Sequence, residues 1–267
     1  MSGSDRDIFS FQLSEVFSQD QVMVSWSPEP LSLPRRMQQE KSDFEQSIDK
    51  ERFFNGAIAR MERWEHRDSR LVLYLRPTDY FTLLFSNGNV KHITATWGEY
   101  YLSNALGISA VITSRDRKFL LMRRSEAVGE FPARTDVFGG HIDVPANGPG
   151  PCVFAAMEQE LAEELSLSKE SYELLLLGLI KSTPNLKSEL VFRARCACNA
   201  EEIIESAAFA KGASEYDEII TIPARKSLLR RYLQENKSDF TPSAYGSLCL
   251  FLQYRNRNSL RRLHDKR

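Results

Sequence analysis

Gln159-Glu160-Leu161-Ala162-Glu163-Glu164-Leu165-Ser166-Leu167 sets three carboxylates at i, i+3 and i+4 of a helix, downstream of the turn Gly139-Gly140. At roughly 100° per residue, Glu160, Glu163 and Glu164 share an arc of about 100°. Val153, Phe154, Met157, Leu161 and Leu165 form an apolar stripe that overlaps the acidic arc at one edge. The carboxylates therefore border the core-facing side, at the edge of a cleft, where like charges are costly unless a cation compensates them. Hard oxygen ligands of this kind suit Mg²⁺ or Mn²⁺, which keep some water and take a substrate phosphate as a further ligand. Taken alone, the helix also reads as a solvated acidic face.

Upstream, Val111-Ile112-Thr113 and Phe119-Leu120-Leu121-Met122 read as strands joined by the polar turn Ser114-Arg115-Asp116-Arg117-Lys118. The second strand runs into Arg123-Arg124-Ser125, the loop Val128-Gly129-Glu130-Phe131-Pro132, and then Val137-Phe138-Gly139-Gly140-His141. In this order the segments resemble a Nudix hydrolase. Its signature runs Gly, five residues, Glu, seven residues, Arg-Glu, an apolar residue, any residue, Glu-Glu, any residue, Gly, apolar. Glu160, Glu163 and Glu164 match the metal-binding acids, and Leu161 and Leu167 match the apolar positions. Gln159 stands where the arginine belongs and Ser166 where the last glycine belongs. The connection from Gly140 carries five extra residues, so the motif's first glutamate falls on Pro151, which instead reads as a first-turn proline. The loop before it, Pro145-Ala146-Asn147-Gly148-Pro149-Gly150, is rich in breakers.

These departures resemble the branch that cleaves UDP-glucose and UDP-galactose, as do Phe53-Phe54-Asn55-Gly56, Thr78-Asp79-Tyr80-Phe81 and Ser243-Ala244-Tyr245-Gly246. The likeness covers about residues 50 to 255. It implies an α/β (α+β) fold, a Nudix-type α/β/α sandwich with a mixed sheet, plus an N-terminal extension packing on it. It further implies hydrolysis of a nucleotide-sugar diphosphate to UMP and a sugar 1-phosphate, with Mg²⁺ (or Mn²⁺) held by Glu160, Glu163, Glu164 and the Gly140 carbonyl. Arg123 and Arg124 become candidates for gripping phosphate, although neighbours on a strand point to opposite sides. Glu215 is a candidate general base, with a surface acid as its other reading. His141, Asn55 and Tyr80 are candidates for contacting substrate, with Phe81 beside them and core packing as the alternative for the aromatics. Two further readings stay open: hydrolysis of another nucleoside diphosphate derivative such as ADP-ribose, and a Nudix-like module that binds a nucleotide sugar without cleaving it.

Composition agrees. The 267 residues suffice for one large or two small domains, 42% hydrophobic content supplies a core, and a net charge of −1 argues against a nucleic-acid surface. No apolar run approaches a membrane span, and Met1-Ser2-Gly3-Ser4-Asp5-Arg6-Asp7 lacks the features of a signal peptide, so a cytoplasmic protein is expected. Cys152, Cys196, Cys198 and Cys249 lack zinc spacing and read as free thiols.

Periodicity predicts an N-terminal extension or small subdomain over 1 to 104 and the Nudix domain over 105 to 267. Within the first part it predicts a strand at 21–26, a helix over 35–52 and a strand at 71–75. Within the second it predicts strands at 108–113, 118–123, 174–180, 190–196 and 218–222, and helices at 152–166, 200–210, 224–235 and 242–256. The oligomeric state leaves no mark on the sequence.

Overall fold

The computed structural model describes residues 8–51, 53–145 and 150–264, with side chains through residue 254. The sequence readings of residues 1–7 and of 146–149 in the breaker-rich loop lie outside the described residues. In chain order the elements of the first part are β1 (Phe9–Leu13), β2 (Val22–Trp26), α1 (Arg35–Ser47), β3 (Ala57–Arg67), β4 (Arg70–Asp79), α2 (Tyr80–Gly88) and α3 (Val90–Thr96). There follow β5 (Gly107–Thr113), β6 (Lys118–Arg124), β7 (Thr135–Asp136), β8 (Phe138–His141), α4 (Val153–Leu165), β9 (Tyr172–Ser182) and β10 (Ser188–Cys196). The chain closes with α5 (Ala200–Ala207), β11 (Tyr216–Pro223), α6 (Lys226–Glu235) and α7 (Pro242–His264).

A mixed sheet of order β1-β9-β10-β5-β6-β11 forms the centre, with β7 on β6 and β8 on β5. Only β10 and β5 run parallel in it among the described pairs. The nearly unbroken apolar run of β5 follows from burial on both faces. Ile108, Ala110 and Ile112 enter one core with Phe154, Met157, Leu161 and Leu165 of α4 and Ile203 and Ala207 of α5. Val111 points the other way, into a core built with Leu229 and Leu233 of α6 and Leu248 and Phe251 of α7. Helices thus cover both faces of one sheet, an α/β/α sandwich.

The smaller sheet, β2-β4-β3, packs on the first of these cores through Ala59, Met61, Leu71, Leu73 and Leu75. Met37, Phe85 and Ile93 tie α1 to α2 and α3 in a separate small cluster. None of the helices among the described residues is long and apolar enough to cross a membrane.

Some sequence expectations need correcting. Helix α1 ends at Ser47 rather than 52, because Ile48 turns extended and Asp49-Lys50-Glu51 offer no apolar residue to bury. Helix α4 starts at Val153 with Cys152 at its cap, which leaves Pro151 ahead of the first turn instead of in it. Helix α5 stops at Ala207, short of 210. Strands β1 and β3 and helices α2 and α3 are absent from the sequence reading. The β3–β4 hairpin turns at Asp68 and Ser69, both at positive φ, and so lacks the Asn-Gly or Asp-Gly signal that marks such turns.

Candidate active site

The site is assembled where α4 meets the edge strand β8. Gly139 and Gly140 pair with Ser109 and Ile108 of β5, so β8 lies on the sheet with α4 packed against it. A side chain is excluded at both glycines. A Cβ at Gly139, whose φ is +148°, would fall 2.1 Å from the Ile108 carbonyl oxygen, and one at Gly140 would fall 2.3 Å from Glu160 Oε1. The absence of those two carbons lets carboxylates from the helix reach the strand backbone: the Gly139 N–H donates to Glu164 Oε2 at 2.9 Å.

Glu164 is only 2% exposed, so its charge is poorly solvated. Burial, then Glu160 and Glu215, raise its carboxyl well above the ordinary range. Glu160 is pushed up to about 8 by burial and then by Glu215, Asp143 and Glu163. Burial also raises Glu215, and burial followed by Glu163 raises Asp143. Glu163, at the more open end, accepts from Gln159 Nε2 at 3.1 Å and pairs with Lys211 at 3.2 Å. Gln159, in the motif's arginine position, therefore still orients a motif glutamate.

Glu160, Glu164, Glu215 and Asp143, each raised by burial and by neighbouring carboxylates, with Glu163 beside them, are the donor set a divalent cation fits: hard oxygens with surplus negative charge. Among the described residues no three acid, histidine or cysteine side chains are already drawn together as a closed cage. Side-chain rotation of Glu160, Glu163 and Glu164 would have to bring them onto one ion.

A cavity of about 370 Å³ opens beside the diglycine, lined in part by Tyr80, Arg124, Glu130, His141, Lys187 and Glu215. Arg124 is held by the Glu130 carbonyl at 3.1 Å and by Asp136 Oδ2 at 3.1 Å. Lys187 lies 3.3 Å from both Glu130 Oε2 and His141 Nε2. Although burial opposes it, the ammonium of Lys187 is kept charged by Glu130 and then Glu189. Against the same penalty Glu130 stays ionised, with Lys187 as the first compensating charge. An ammonium has donors only, so His141 Nε2 accepts and the ring proton sits on Nδ1. Burial and then Lys187 push His141 down to about 3, which makes the ring a neutral hydrogen-bond donor.

Of the residues singled out in the sequence, Arg124, His141, Gly140, Tyr80 and Glu215 line the cavity, and Glu160, Glu163 and Glu164 flank it from α4. Arg123 is not brought to it. Alternation on β6 turns its guanidinium to the Ala133 carbonyl at 3.2 Å. Asn55 is exposed and accepts from the Phe81 N–H at 2.8 Å, in the first turn of α2 beside the Asp79 cap. Phe81 is buried. The sequence reading missed Lys187, Glu189, Asp136 and Asp143. Lys187 lies between Leu186 and Ser188 in an ordinary polar turn and carries no motif, but Glu130 was visible in the quoted loop.

No family model matches the chain. It is 27% identical over 210 residues to a mouse protein named uridine diphosphate glucose pyrophosphatase NUDT22, covering 69% of this chain and 68% of that one. The human protein of the same name is 26% identical, with 69% of each chain covered. Nudix hydrolase 9 of Arabidopsis thaliana is 25% identical over 165 residues, covering 50% of this chain and 51% of that one. Among solved structures, a mutT/nudix family protein from Listeria innocua aligns over 60% of this chain and 97% of its own, at 20% identity and a TM-score of 0.39.

Proposed function

We propose that this chain, a Nudix hydrolase relative resembling the UDP-glucose pyrophosphatase branch, hydrolyses the diphosphate of a nucleotide sugar, with UDP-glucose or UDP-galactose as substrate and UMP and sugar 1-phosphate as products. The observation that carries the reading is the meeting of the α4 acids and Glu215 at the diglycine, beside a cavity holding Arg124 and Lys187. The names of the mammalian relatives support the sugar nucleotide. Glu160, Glu163, Glu164 and the Gly140 carbonyl would hold the divalent ion, Mg²⁺ or Mn²⁺. When bound, it neutralises charge on the diphosphate and activates water.

The chain's own residues supply the rest. Arg124, held by Asp136 and the Glu130 carbonyl, keeps its guanidinium at the cavity wall, where it can take phosphate oxygens. His141 donates from Nδ1. Glu215, raised by burial, takes a proton from water more readily than an exposed acid. Tyr80 stands at the cavity wall as a surface for the nucleoside. Four free cysteines accord with a reducing, cytoplasmic setting.

A second reading, a module that binds the nucleotide sugar without cleaving it, rests on Pro151 in place of the first motif glutamate and on the open arrangement of the acids. The test is release of nucleoside monophosphate from UDP-glucose, UDP-galactose and ADP-ribose with Mg²⁺ or Mn²⁺, with Glu163→Gln and Glu164→Gln as controls. UMP release that both variants lose is expected. Binding of UDP-glucose without release from any compound favours the module, and release from ADP-ribose alone overturns the substrate.

A further inference from the structure

The opposite end of the central sheet carries a second cleft, of about 760 Å³. The parallel pair β5 and β10 sets the two sites apart. Ile108, Ser109 and Glu189 face the candidate active site from the first residues of these strands, whereas Thr113, Arg193 and Arg195 line the cleft from their last ones. Thr113 lies five residue steps along the strand from Ile108, which is roughly 17 Å. The turn Ser114–Arg117 and the side chains of Phe251 and Tyr254 on α7 complete the walls.

Four arginines line this space: Arg115, Arg117, Arg193 and Arg195. The two acids there are Glu170 and Glu173, and Glu173 is already paired with Arg193 at 3.0 Å. In a chain with 35 basic and 36 acidic residues, that surplus is a local feature. Arg115 is engaged with Asn199 and Glu202. Among the described residues the guanidinium groups of Arg117 and Arg195 have no hydrogen-bond or ion-pair partner, and both residues are exposed. Arg193 lies against the Tyr254 ring, 5.8 Å from its centre, and its Nε is shielded from solvent yet unpaired.

We infer that this cleft is a second binding site for a nucleotide, its phosphates taken by Arg117 and Arg195 with Arg193 adding charge, and its planar base set against Tyr254. Guanidinium groups bind phosphate oxygens in pairs, and arginine and aromatic faces both accept a flat ring. The volume is that of a small-ligand pocket. The site is distinct from the candidate active site and independent of the reaction proposed there.

Amide chemical-shift mapping of the full chain in EDTA tests it, with ATP, UMP and inorganic phosphate as separate probes. Ala197 and Ala224 report the cleft, and Gly139 and Gly140 report the candidate active site. Saturable shifts at Ala197 and Ala224 with ATP or UMP are expected, weakened at least tenfold in Arg117→Ala/Arg195→Ala. The double lysine variant should bind with intermediate strength, because it keeps charge and loses the paired geometry. Both arginines are exposed, so the melting temperature should hold in either variant, and the lysine variant serves if the alanine one unfolds. Shifts confined to Gly139 and Gly140, or cleft shifts unaltered by the double substitution, overturn the site. Equal affinity for inorganic phosphate and nucleotides overturns the assignment to a nucleotide.

Discussion

Ser166 caps α4 with φ +53° and ψ +31°, a left-handed conformation that glycine adopts without cost and serine does not. It stands where the motif has glycine, and serine is the residue less suited to this backbone. Ser166→Gly should therefore stabilise the protein by about 0.5–1 kcal/mol, read as a higher urea midpoint at unchanged slope. Lys187 presents the opposite case, a residue whose role is invisible without its neighbours. Lys187→Met would leave Glu130 ionised and buried, and a loss of about 3–5 kcal/mol is expected. Adding Glu130→Gln should restore part of that loss. A double-mutant cycle in urea measures the coupling, and strict additivity would show that the two residues do not act as a pair.

At the scale of the element, α4 brings crowded acids against β8, and its stability should respond to pH with a definite sign. Glu160 has a folded value of about 8 against roughly 4.3 in an unfolded chain, so the fold favours its protonated form. That contribution is whole below about pH 4 and is lost as the pH rises through 8. Glu164 is raised in the same direction, and Glu189, pushed up to about 7 chiefly by burial, adds to the slope over the lower part of that window. In EDTA the melting temperature should fall most steeply between about pH 6.5 and 8, above the range in which His141, pushed down to about 3, contributes the opposite slope, and Glu160→Gln should flatten the decline. Mg²⁺ or Mn²⁺ should raise it most at pH 8, where the acids have shed their protons. A melting temperature that rises with pH over this window in EDTA would contradict the burial of these groups. The same element shows why helices read well here. The stripe of α4 and its acids follow from spacing alone, whereas β3 mixes Arg, Glu and His with apolar residues and was missed.

On the scale of the whole molecule, the smaller sheet and the central sheet share a core. Leu73 of β4 is fully buried in the cluster that also holds Leu161 of α4 and Phe192 of β10. Leu73→Ala should cost about 2–5 kcal/mol and shift a single unfolding transition, the same by tryptophan fluorescence and by far-ultraviolet circular dichroism. Two separated transitions would show that the N-terminal part unfolds by itself. By itself the sequence determined the acid helix, the diglycine before it and the alternation of strands and helices, because these rest on local spacing that any chain with the same periods would repeat. The tertiary structure decided which of Arg123 and Arg124 enters the cavity, that Asn55 binds the first turn of a helix, and that Lys187 meets Glu130 and His141 across residues distant in the chain. It also decided the gathering of four arginines at the far end of the sheet. Strand register and the packing of helices on both faces bring these groups together, and neither is written in the spacing of any one segment.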